Sequence, residues 1–249
     1  LSIRDVERAK KDLSSQASEL ARSNAELEQF AYVASHDLRE PLRKITTMSD
    51  RIMEMRKANP AADINDYLDR MNRAGIRMHQ LIEDLLAYSR VSRKPNPFES
   101  VDLNDVFTQV VNDLDVRIRQ SEARVESEEL PVIKAEPVQM RQLFQNLIGN
   151  AIKFRRAGLH PVIRIKAEPD GNNFCKLTFT DNGIGIRKEF FTRIFGIFER
   201  LHSYSEYEGS GIGLSICKKI IEHHRGSIEV SSLEGDGTTF VIHLPLRQD

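Results

Sequence analysis

Apolar residues recur every seven positions through the first part of the chain. Two such sets, three residues apart, mark the a and d positions of a heptad repeat: Val6, Leu13, Leu20, Leu27 and Ala34, and Ile3, Lys10, Ala17, Asn24 and Ala31. The pattern predicts a coiled coil over residues 1–28. Polar Lys10 and Asn24 on the seam favour a parallel dimer. The alternative is one long amphipathic helix that packs on its own domain.

The helical pattern continues beyond the heptads and breaks at Lys57-Ala58-Asn59-Pro60, where the residues favour a turn. A second helix is predicted from about Asp63 to Arg90. We interpret residues 29–93 as a helical hairpin. Two antiparallel helices cannot bury both of their apolar faces, so we expect two copies to form a four-helix bundle. The polar, proline-containing segment 94–98 is expected to be a hinge.

Residues 99–247 mix helical and strand patterns. Helices are predicted over 103–121, 137–154 and 212–224, and strands over 124–128, 132–134, 162–167, 174–180, 228–231 and 238–244. Asp102 or Asn104 is expected to cap the first of these helices, and Pro137 suits the first turn of the second. We expect an α+β sandwich with three helices on one face of a sheet.

Composition narrows the class of protein. The 249 residues are 40% hydrophobic and 29% charged, with a formal net charge of −1, which fits a globular protein and gives no argument for nucleic-acid binding. No apolar run approaches the ~20 residues that cross a bilayer. Cys175 and Cys217 lack CxxC spacing and are expected to be buried thiols in a reducing cytosol. Because the chain starts with Leu1 inside a helical pattern, we expect a cytoplasmic part of a longer protein, which could be membrane-anchored.

His36 is the candidate nucleophile, on the flank of the first helix's seam. Asp37 follows it. A carboxylate that accepts the Nδ1–H of an imidazole fixes its tautomer, leaves a lone pair on Nε2 and can take up a proton. Pro41 has no N–H for the carbonyl of Asp37, so we expect the helix to bend there. Taken alone, the motif could also be a solvated histidine beside a proline kink.

Asn146, Asn150 and Lys153 share one face of the predicted 137–154 helix. Side-chain carbonyl oxygens suit Mg²⁺ that bridges nucleotide phosphates, and an ammonium group beside them neutralises phosphate charge. The alternative is a polar helix face opposite a core face. The motif therefore indicates a phosphate site only in combination with others.

Three glycines, Gly209, Gly211 and Gly213, lead into a helix at Leu214. The free N–H groups of a helix N-terminus suit phosphate. The polar residues before the glycines exclude a dinucleotide fingerprint, and the missing GK[ST] ending excludes a P-loop. The polar stretch 195–210 fits either a lid over bound nucleotide or an ordinary surface loop.

Asp181 ends an apolar strand and begins a turn with Gly183 and Gly185. A carboxylate at the floor of a pocket can accept the exocyclic amino group of adenine, while glycine lets the base lie against backbone. A plain Asp-Asn-Gly turn is the alternative.

Together, and in this order, the motifs resemble those of the histidine protein kinases of two-component signalling over essentially the whole chain. The resemblance is carried by HDLREPL at 36–42, NLIGNAIKF at 146–154, and the segments 181–185, 194–200, 209–214 and 235–240. It implies a dimerisation and phosphotransfer domain, then an ATP-binding domain of the Bergerat fold. It also implies ATP and Mg²⁺, an upstream sensor domain, a homodimer, a response-regulator receiver domain as partner, and no nucleic acid.

The same resemblance implies residue roles. His36 would be phosphorylated with help from Asp37, Asn150 and Asn146 would hold Mg²⁺, and Asp181 would anchor adenine. The other residues expected in the nucleotide site are Lys153, Gly183, Gly185, Arg200, Gly209, Gly211, Gly213, Leu214 and Thr239. Phe195 and Phe198 would couple the lid to the bundle.

The expected reaction passes the γ-phosphoryl of Mg-ATP to Nε2 of His36, and then to an aspartate of a receiver domain. ATPases of the gyrase, mismatch-repair and chaperone kind share the nucleotide motifs but lack the histidine-bearing hairpin. A non-catalytic dimeric scaffold would not need Asn150 or Asp181. Phosphorylation within one subunit and between subunits are both compatible with the motifs. Glu40 occupies a position that is often Thr or Asn in kinases that also dephosphorylate their partner, so we expect weak phosphatase activity.

Overall fold

The computed structural model describes residues 35–91, 97–171, 173–201, 207 and 209–247. They belong to two compact units, divided between Leu81 and Ile82. The predicted coiled coil over residues 1–28 lies outside the described residues, as does most of the predicted hinge. Within the described ranges, no helix combines the length and the apolar character that crossing a bilayer requires.

The first unit contains a helical hairpin. Helix α1 spans residues 35–58, and helix α2, Asn65–Val91, continues into the second unit. The loop between them begins at Asn59, whose Oδ1 accepts the N–H of Ala61 at 3.0 Å. Oδ1 of Asp63 accepts the N–H of Asn65 at 3.0 Å and so caps the start of α2. The predicted break at the Asn59-Pro60 turn is confirmed.

Two contacts show that α1 and α2 are antiparallel. Arg51 in α1 forms a hydrogen bond with Tyr67 near the start of α2. Arg77, farther along α2, lies 3.8 Å from the carboxylate of Glu40, near the start of the described part of α1. The helix α1 is continuous through Pro41, so the predicted bend beside His36 stays a prediction.

The second unit mixes strands and helices. Its strands are β1 (Glu99–Asp102), β2 (Arg124–Ser127), β3 (Val132–Ala135), β4 (Val162–Asp170), β5 (Phe174–Asp181), β6 (Ser227–Leu233) and β7 (Gly237–Pro245). Its α-helices are α3 (Leu103–Asp113), α4 (Asp115–Ser121), α5 (Pro137–Lys153) and α6 (Gly213–His223), and there are 3₁₀ turns at Lys188–Phe190 and Arg193–Phe195. The larger sheet has the order β2-β4-β5-β7-β6, and β1 pairs with β3 in a separate two-stranded sheet. Among the strand pairs of the described residues, only β2–β4 is parallel.

The core lies between the large sheet and the helices α3, α5 and α6. Alternate residues of the central strands are buried, as a sheet with one covered face requires. Phe144 of α5 packs edge-on against Phe179 of β5, with ring centroids 5.0 Å apart. The opposite face carries ion pairs such as Lys166 with Glu128 at 2.6 Å. The expected α+β sandwich with helices on one face is confirmed.

Two elements differ from the sequence prediction. Residues 103–121 form two helices instead of one, because buried Leu114 leaves the helical conformation (φ −94°, ψ 3°) between α3 and α4. Apolar residues continue at a spacing of four through Val110, Leu114 and Ile118, so periodicity does not mark the break. Strand β1 was not predicted, since only Val101 of its four residues is buried. Asp102 caps α3 by accepting the N–H of Asn104 at 2.8 Å.

Candidate nucleotide and phospho-acceptor sites

His36 lies near the start of the described part of α1, with its side chain 70% exposed. Its Nδ1 is 3.0 Å from Oδ1 of Asp37. The carboxylate can only accept, so Nδ1 carries the proton and Nε2 keeps its lone pair. This is the geometry that the sequence predicted, and it presents a nucleophilic nitrogen to solvent.

Asp181 ends β5, and its side chain is half-buried. Its Oδ1 accepts two backbone N–H groups, from Gly183 at 2.8 Å and from Thr238 at 3.2 Å. Its Oδ2 has no hydrogen-bond partner among the described residues. Burial raises the pKa of Asp181, and the two N–H donors oppose that shift. One oxygen is thus fixed by the fold while the other can accept from a ligand.

Glycine is required where the backbones around Asp181 meet. A Cβ on Gly183 would lie 2.6 Å from the carbonyl oxygen of Phe154. Gly185 has φ +73°, and its Cβ would lie 2.0 Å from the carbonyl oxygen of Leu233. Gly237, at φ +107°, would place a Cβ 2.0 Å from the carbonyl oxygen of Asp181. The turn after β5 therefore fits against the end of α5 and against the β6–β7 hairpin only without side chains at these positions.

We expect Gly185→Ala to destabilise the second unit far more than Gly235→Ala. Both residues have positive φ, +73° and +83°, but the Cβ position at Gly235 has nothing within 4 Å. The left-handed backbone costs alanine roughly 1–2 kcal/mol at either site. At Gly185 the clash with the Leu233 carbonyl adds to this cost. Urea unfolding followed by circular dichroism measures both variants, and equal losses would contradict the fit described above.

The structure places Thr238, and not Thr239, next to Asp181 in β7. Thr239 pairs with Thr180, and their hydroxyls are 3.2 Å apart. Opposed residues share a face, so Thr239 lies on the other face of the sheet from Asp181. Thr238, which pairs with Asp181, is buried beside it. The nucleotide-binding role expected of Thr239 stays a prediction.

The amides of Asn146 and Asn150 lie on one face of α5, as predicted. Nδ2 of Asn146 donates to the carbonyl oxygen of Gly213 at 3.2 Å, and the amide also hydrogen-bonds the buried thiol of Cys217. Because a carbonyl only accepts, Nδ2 faces α6 and the amide oxygen is left for a ligand. The side chain of Asn150 has no hydrogen bond to another described residue.

These amides fit Mg²⁺ that arrives with nucleotide phosphates. Amide oxygens are hard donors, and Mg²⁺ commonly keeps waters and phosphate oxygens as its other ligands. Among the described residues, no three His, Cys, Asp or Glu side chains are grouped to hold a metal ion. The donor set therefore suits a shared metal, completed by a bound nucleotide.

The glycine-rich segment lies against Lys153 and Arg200. A Cβ on Gly209, at φ +145°, would lie 2.8 Å from Nζ of Lys153. A Cβ on Gly211, at φ +79°, would lie 2.9 Å from Cγ of Arg200. Arg200 also donates to the carbonyl oxygen of Tyr207 at 3.0 Å. The structure thus brings together both cations and the first two glycines that the sequence predicted.

Helix α6 begins at Gly213, and the carbonyl oxygen of Gly213 accepts the hydrogen bond from Asn146. The first N–H groups of a helix have no acceptor within it, so Gly213, Leu214 and Ser215 present an N-terminus suited to anions. The N–H of Ile212 has an acceptor in the hydroxyl of Ser210, at 3.3 Å. The start of α6 and the end of α5 therefore form one polar cluster.

Two aromatic residues of the segment 194–200 have different surroundings. The ring of Phe195 packs on Phe240 of β7, with centroids 6.4 Å apart, so it contributes to packing within the second unit. Phe198 has φ +63°, a conformation unusual for a bulky residue, and it lies next to the Gly211 backbone. Six residues of the predicted lid over 195–210, namely 202–206 and 208, lie outside the described residues. Its coupling to the bundle stays a prediction.

Comparison with known proteins identifies both units. The family described as His Kinase A (phospho-acceptor) domain matches residues 26–94, and the family of histidine kinase-, DNA gyrase B- and HSP90-like ATPases matches residues 135–248. The first match separates this chain from gyrase-like and chaperone-like ATPases, as the histidine motif predicted. It spans both helices of the hairpin.

Curated relatives and solved structures agree with these matches. Cyanobacterial phytochrome A of Nostoc sp. strain PCC 7120 is 43% identical over 236 residues, which is 94% of this chain and 30% of the relative. The chain thus spans about a third of the length of such curated relatives: 30% of this one and 32% of the phytochrome-like protein Cph1 of Synechocystis sp. strain PCC 6803.

Two solved structures show the same fold. The histidine kinase AdeS of Acinetobacter baumannii has a TM-score of 0.67 at 21% identity, covering 85% of this chain and 98% of that one. The histidine kinase ThkA in complex with the response regulator protein TrrA has a TM-score of 0.64 at 21% identity, covering 95% of this chain and 64% of that one. The chain belongs to the sensor histidine kinases and carries their phospho-acceptor and ATPase domains.

Proposed function

We propose that the chain uses Mg-ATP to phosphorylate its own His36 and then passes the phosphoryl group to an aspartate of a response regulator. The observation that carries this proposal is the pairing of Nδ1 of His36 with Asp37 at 3.0 Å, which leaves Nε2 available. Nε2 attacks the γ-phosphorus, the bond to the β–γ bridging oxygen breaks, and ADP leaves. Asp37 accepts the Nδ1–H and stabilises the positive charge that forms on the ring.

Within the ATPase domain, one group of residues is proposed to bind the adenine base and another to bind the phosphates. We assign Oδ2 of Asp181 as the acceptor of the adenine amino group, with Gly183, Gly185 and the Thr238 backbone around it. Asn146 and Asn150 hold Mg²⁺, which when bound neutralises and orients the phosphate oxygens. Lys153, Arg200 and the start of α6 provide the remaining positive charge and donors for the triphosphate.

We propose that a second copy of this chain packs against the apolar faces of the hairpin. Four large apolar side chains are 46–62% exposed on the single hairpin: Leu42, Met53, Leu68 and Ile76. A pair of helices cannot bury a second face alone, whereas a four-helix bundle of two copies can. The structure of ThkA in complex with the response regulator protein TrrA supports a receiver domain as the other partner.

Radiolabelled ATP tests the proposal directly. Incubation with γ-labelled ATP and Mg²⁺ is expected to leave label on the protein that is lost in acid and retained in alkali, as a phosphorus–nitrogen bond would be. Peptide mapping without acidification should place it on His36. Chains that bind ATP but stay unlabelled would contradict the proposal. Subsequent loss of label to a receiver domain tests the second step.

Phosphatase activity toward the phosphorylated partner is expected to be weak. Glu40 stands four residues after His36 and lies 2.6 Å from Lys44 and 3.8 Å from Arg77. These cations hold the pKa of the Glu40 carboxyl below its usual range, so it stays ionised and can only accept hydrogen bonds. Adding the chain to a phosphorylated receiver domain should hardly change its rate of dephosphorylation, and Glu40→Asn should raise that rate. A sharp rise with the unmodified chain would show this expectation to be wrong.

A further inference from the structure

Arg156 connects the two segments that enclose Asp181, although no sequence motif includes it. It follows the end of α5. Its Nε donates to the carbonyl oxygen of Asn182 at 2.8 Å, and its Nη1 donates to the carbonyl oxygen of Gly235 at 2.6 Å. Asn182 belongs to the turn after β5, and Gly235 to the β6–β7 hairpin. One planar guanidinium thus bridges two backbone segments that are more than 50 residues apart in sequence.

The same two segments are joined again beside the bridge. The N–H of Gly235 donates to the carbonyl oxygen of Ile184 at 2.7 Å, and the N–H of Ile184 donates to the carbonyl oxygen of Phe154 at 3.0 Å. Asn182 is fixed from the other side, because its Oδ1 accepts the N–H of Val162 at 2.8 Å. Arg156 therefore completes a ring of contacts around the turn.

This ring determines where the free oxygen of Asp181 lies. Oδ1 of Asp181 takes one N–H from the turn, at Gly183, and one from β7 directly after the hairpin, at Thr238. If the turn and the hairpin separate, these two donors separate, and Oδ2 loses its fixed position. The carboxylate would remain beside the turn. Its Oδ2, however, would no longer be held where it can accept a hydrogen bond from one particular group of the ligand.

We infer that Arg156 is a positioning residue for purine selectivity: it clamps the turn and the hairpin so that Asp181 distinguishes an amino group from a carbonyl at the same ring position. The inference rests on the proposed function, in which Asp181 accepts from adenine. Arg156 itself touches neither the base nor the phosphates in this role. Its loss should weaken recognition of the base and spare the transfer step.

Arg155 provides a matched control. It is the neighbouring arginine, is exposed, and donates only to the carbonyl oxygen of Ile152 at 3.5 Å, at the end of its own helix, among the described residues. Arg155→Gln removes the same charge one residue away and breaks no contact between the turn and the hairpin. Any effect of charge alone on nucleotide affinity should therefore appear in both variants.

Displacement of a fluorescent ATP analogue by ADP and by GDP tests the inference. Arg156→Gln is expected to weaken ADP binding about tenfold and GDP binding little, so that the ADP-to-GDP selectivity falls about tenfold, as loss of two hydrogen bonds would cause. Labelling of His36 at saturating ATP should keep its rate, while the KM for ATP rises. Arg156→Lys, which can reach one carbonyl, should be intermediate, and Arg155→Gln should match the unmodified chain.

The outcomes are distinguishable. Unchanged selectivity in folded Arg156→Gln, or an equal loss in Arg155→Gln, would overturn the role of Arg156. Circular dichroism identifies a variant that fails to fold. In that case Arg156→Lys carries the test, and unchanged selectivity in it is equally decisive. An unmodified chain that shows no preference for ADP, or no label on His36, would overturn the proposed function instead.

Discussion

Asp181→Asn is expected to abolish ATP binding without weakening the fold. The asparagine oxygen can still accept the N–H groups of Gly183 and Thr238, so the turn is retained. Its Nδ2 then replaces Oδ2 and presents a donor to the amino group of adenine. Two donors that face each other in a buried site should cost roughly a hundredfold or more in affinity. Isothermal titration with ADP measures the loss.

The stability of this variant follows from the raised pKa of Asp181. The folded state binds the proton more tightly than the unfolded state, so stability falls as pH rises from the ordinary range of an aspartate through the raised pKa. Above the raised pKa the native chain carries an ionised, half-buried carboxylate, a cost that the neutral asparagine lacks. Asp181→Asn should therefore melt at the same temperature or higher at pH 7, with a smaller difference in acid.

Asp236→Asn is the control, since it makes the same change at an exposed position of the β6–β7 hairpin. It should leave both affinity and stability unchanged. If Asp181→Asn bound ADP normally, the carboxylate would not be the adenine anchor. If it unfolded, the position would be a structural turn residue, which was the simpler interpretation of the motif.

His36→Gln is expected to eliminate phosphorylation completely and to leave ADP binding intact. Glutamine keeps a polar side chain on α1 but has no nitrogen lone pair that can attack phosphorus. The histidine lies in the first unit and every residue proposed to hold nucleotide lies in the second. Label from γ-labelled ATP should therefore fall to background while ADP affinity stays within about twofold.

His79→Gln tests whether any helix histidine would serve. His79 is also exposed on a helix of the hairpin, but Gln80 follows it in place of a carboxylate. This variant should be labelled as well as the native chain. Label that persists in His36→Gln and disappears in His79→Gln would reverse the assignment of the nucleophile.

Local patterns predicted most of the fold. The helical hairpin, its turn at Asn59-Pro60 and the helix that begins at Pro137 follow from periodicity and from residues that favour turns and helix starts. Pairing between distant strands was not predicted. The parallel β2–β4 pair and the small sheet of β1 with β3 depend on tertiary packing. A strand of four residues with one buried side chain shows too little alternation of apolar and polar residues to be recognised from the sequence.

The candidate site shows the same contrast between features set by local sequence and features set by tertiary packing. Residues whose chemistry is local were predicted: His36 with Asp37, and Asn146 with Asn150 on one helix face. The pairing of Asp181 with Thr238, and not with Thr239, depends on strand register, which the sequence did not specify. Arg156 was missed because its importance lies in two backbone carbonyls that come together only in the folded chain. No property of an isolated arginine marks such a role.

Because both native cysteines are buried, a labelling reagent can be directed to a cysteine added at the surface. Cys175 and Cys217 are buried, and burial raises their pKa values to about 11 and about 12. Protonated, enclosed thiols react slowly with maleimides. A single cysteine added at the surface can therefore carry a spectroscopic label without prior removal of the native ones. Slow alkylation of the native pair, in turn, reports how often the interior of the ATPase domain opens to solvent.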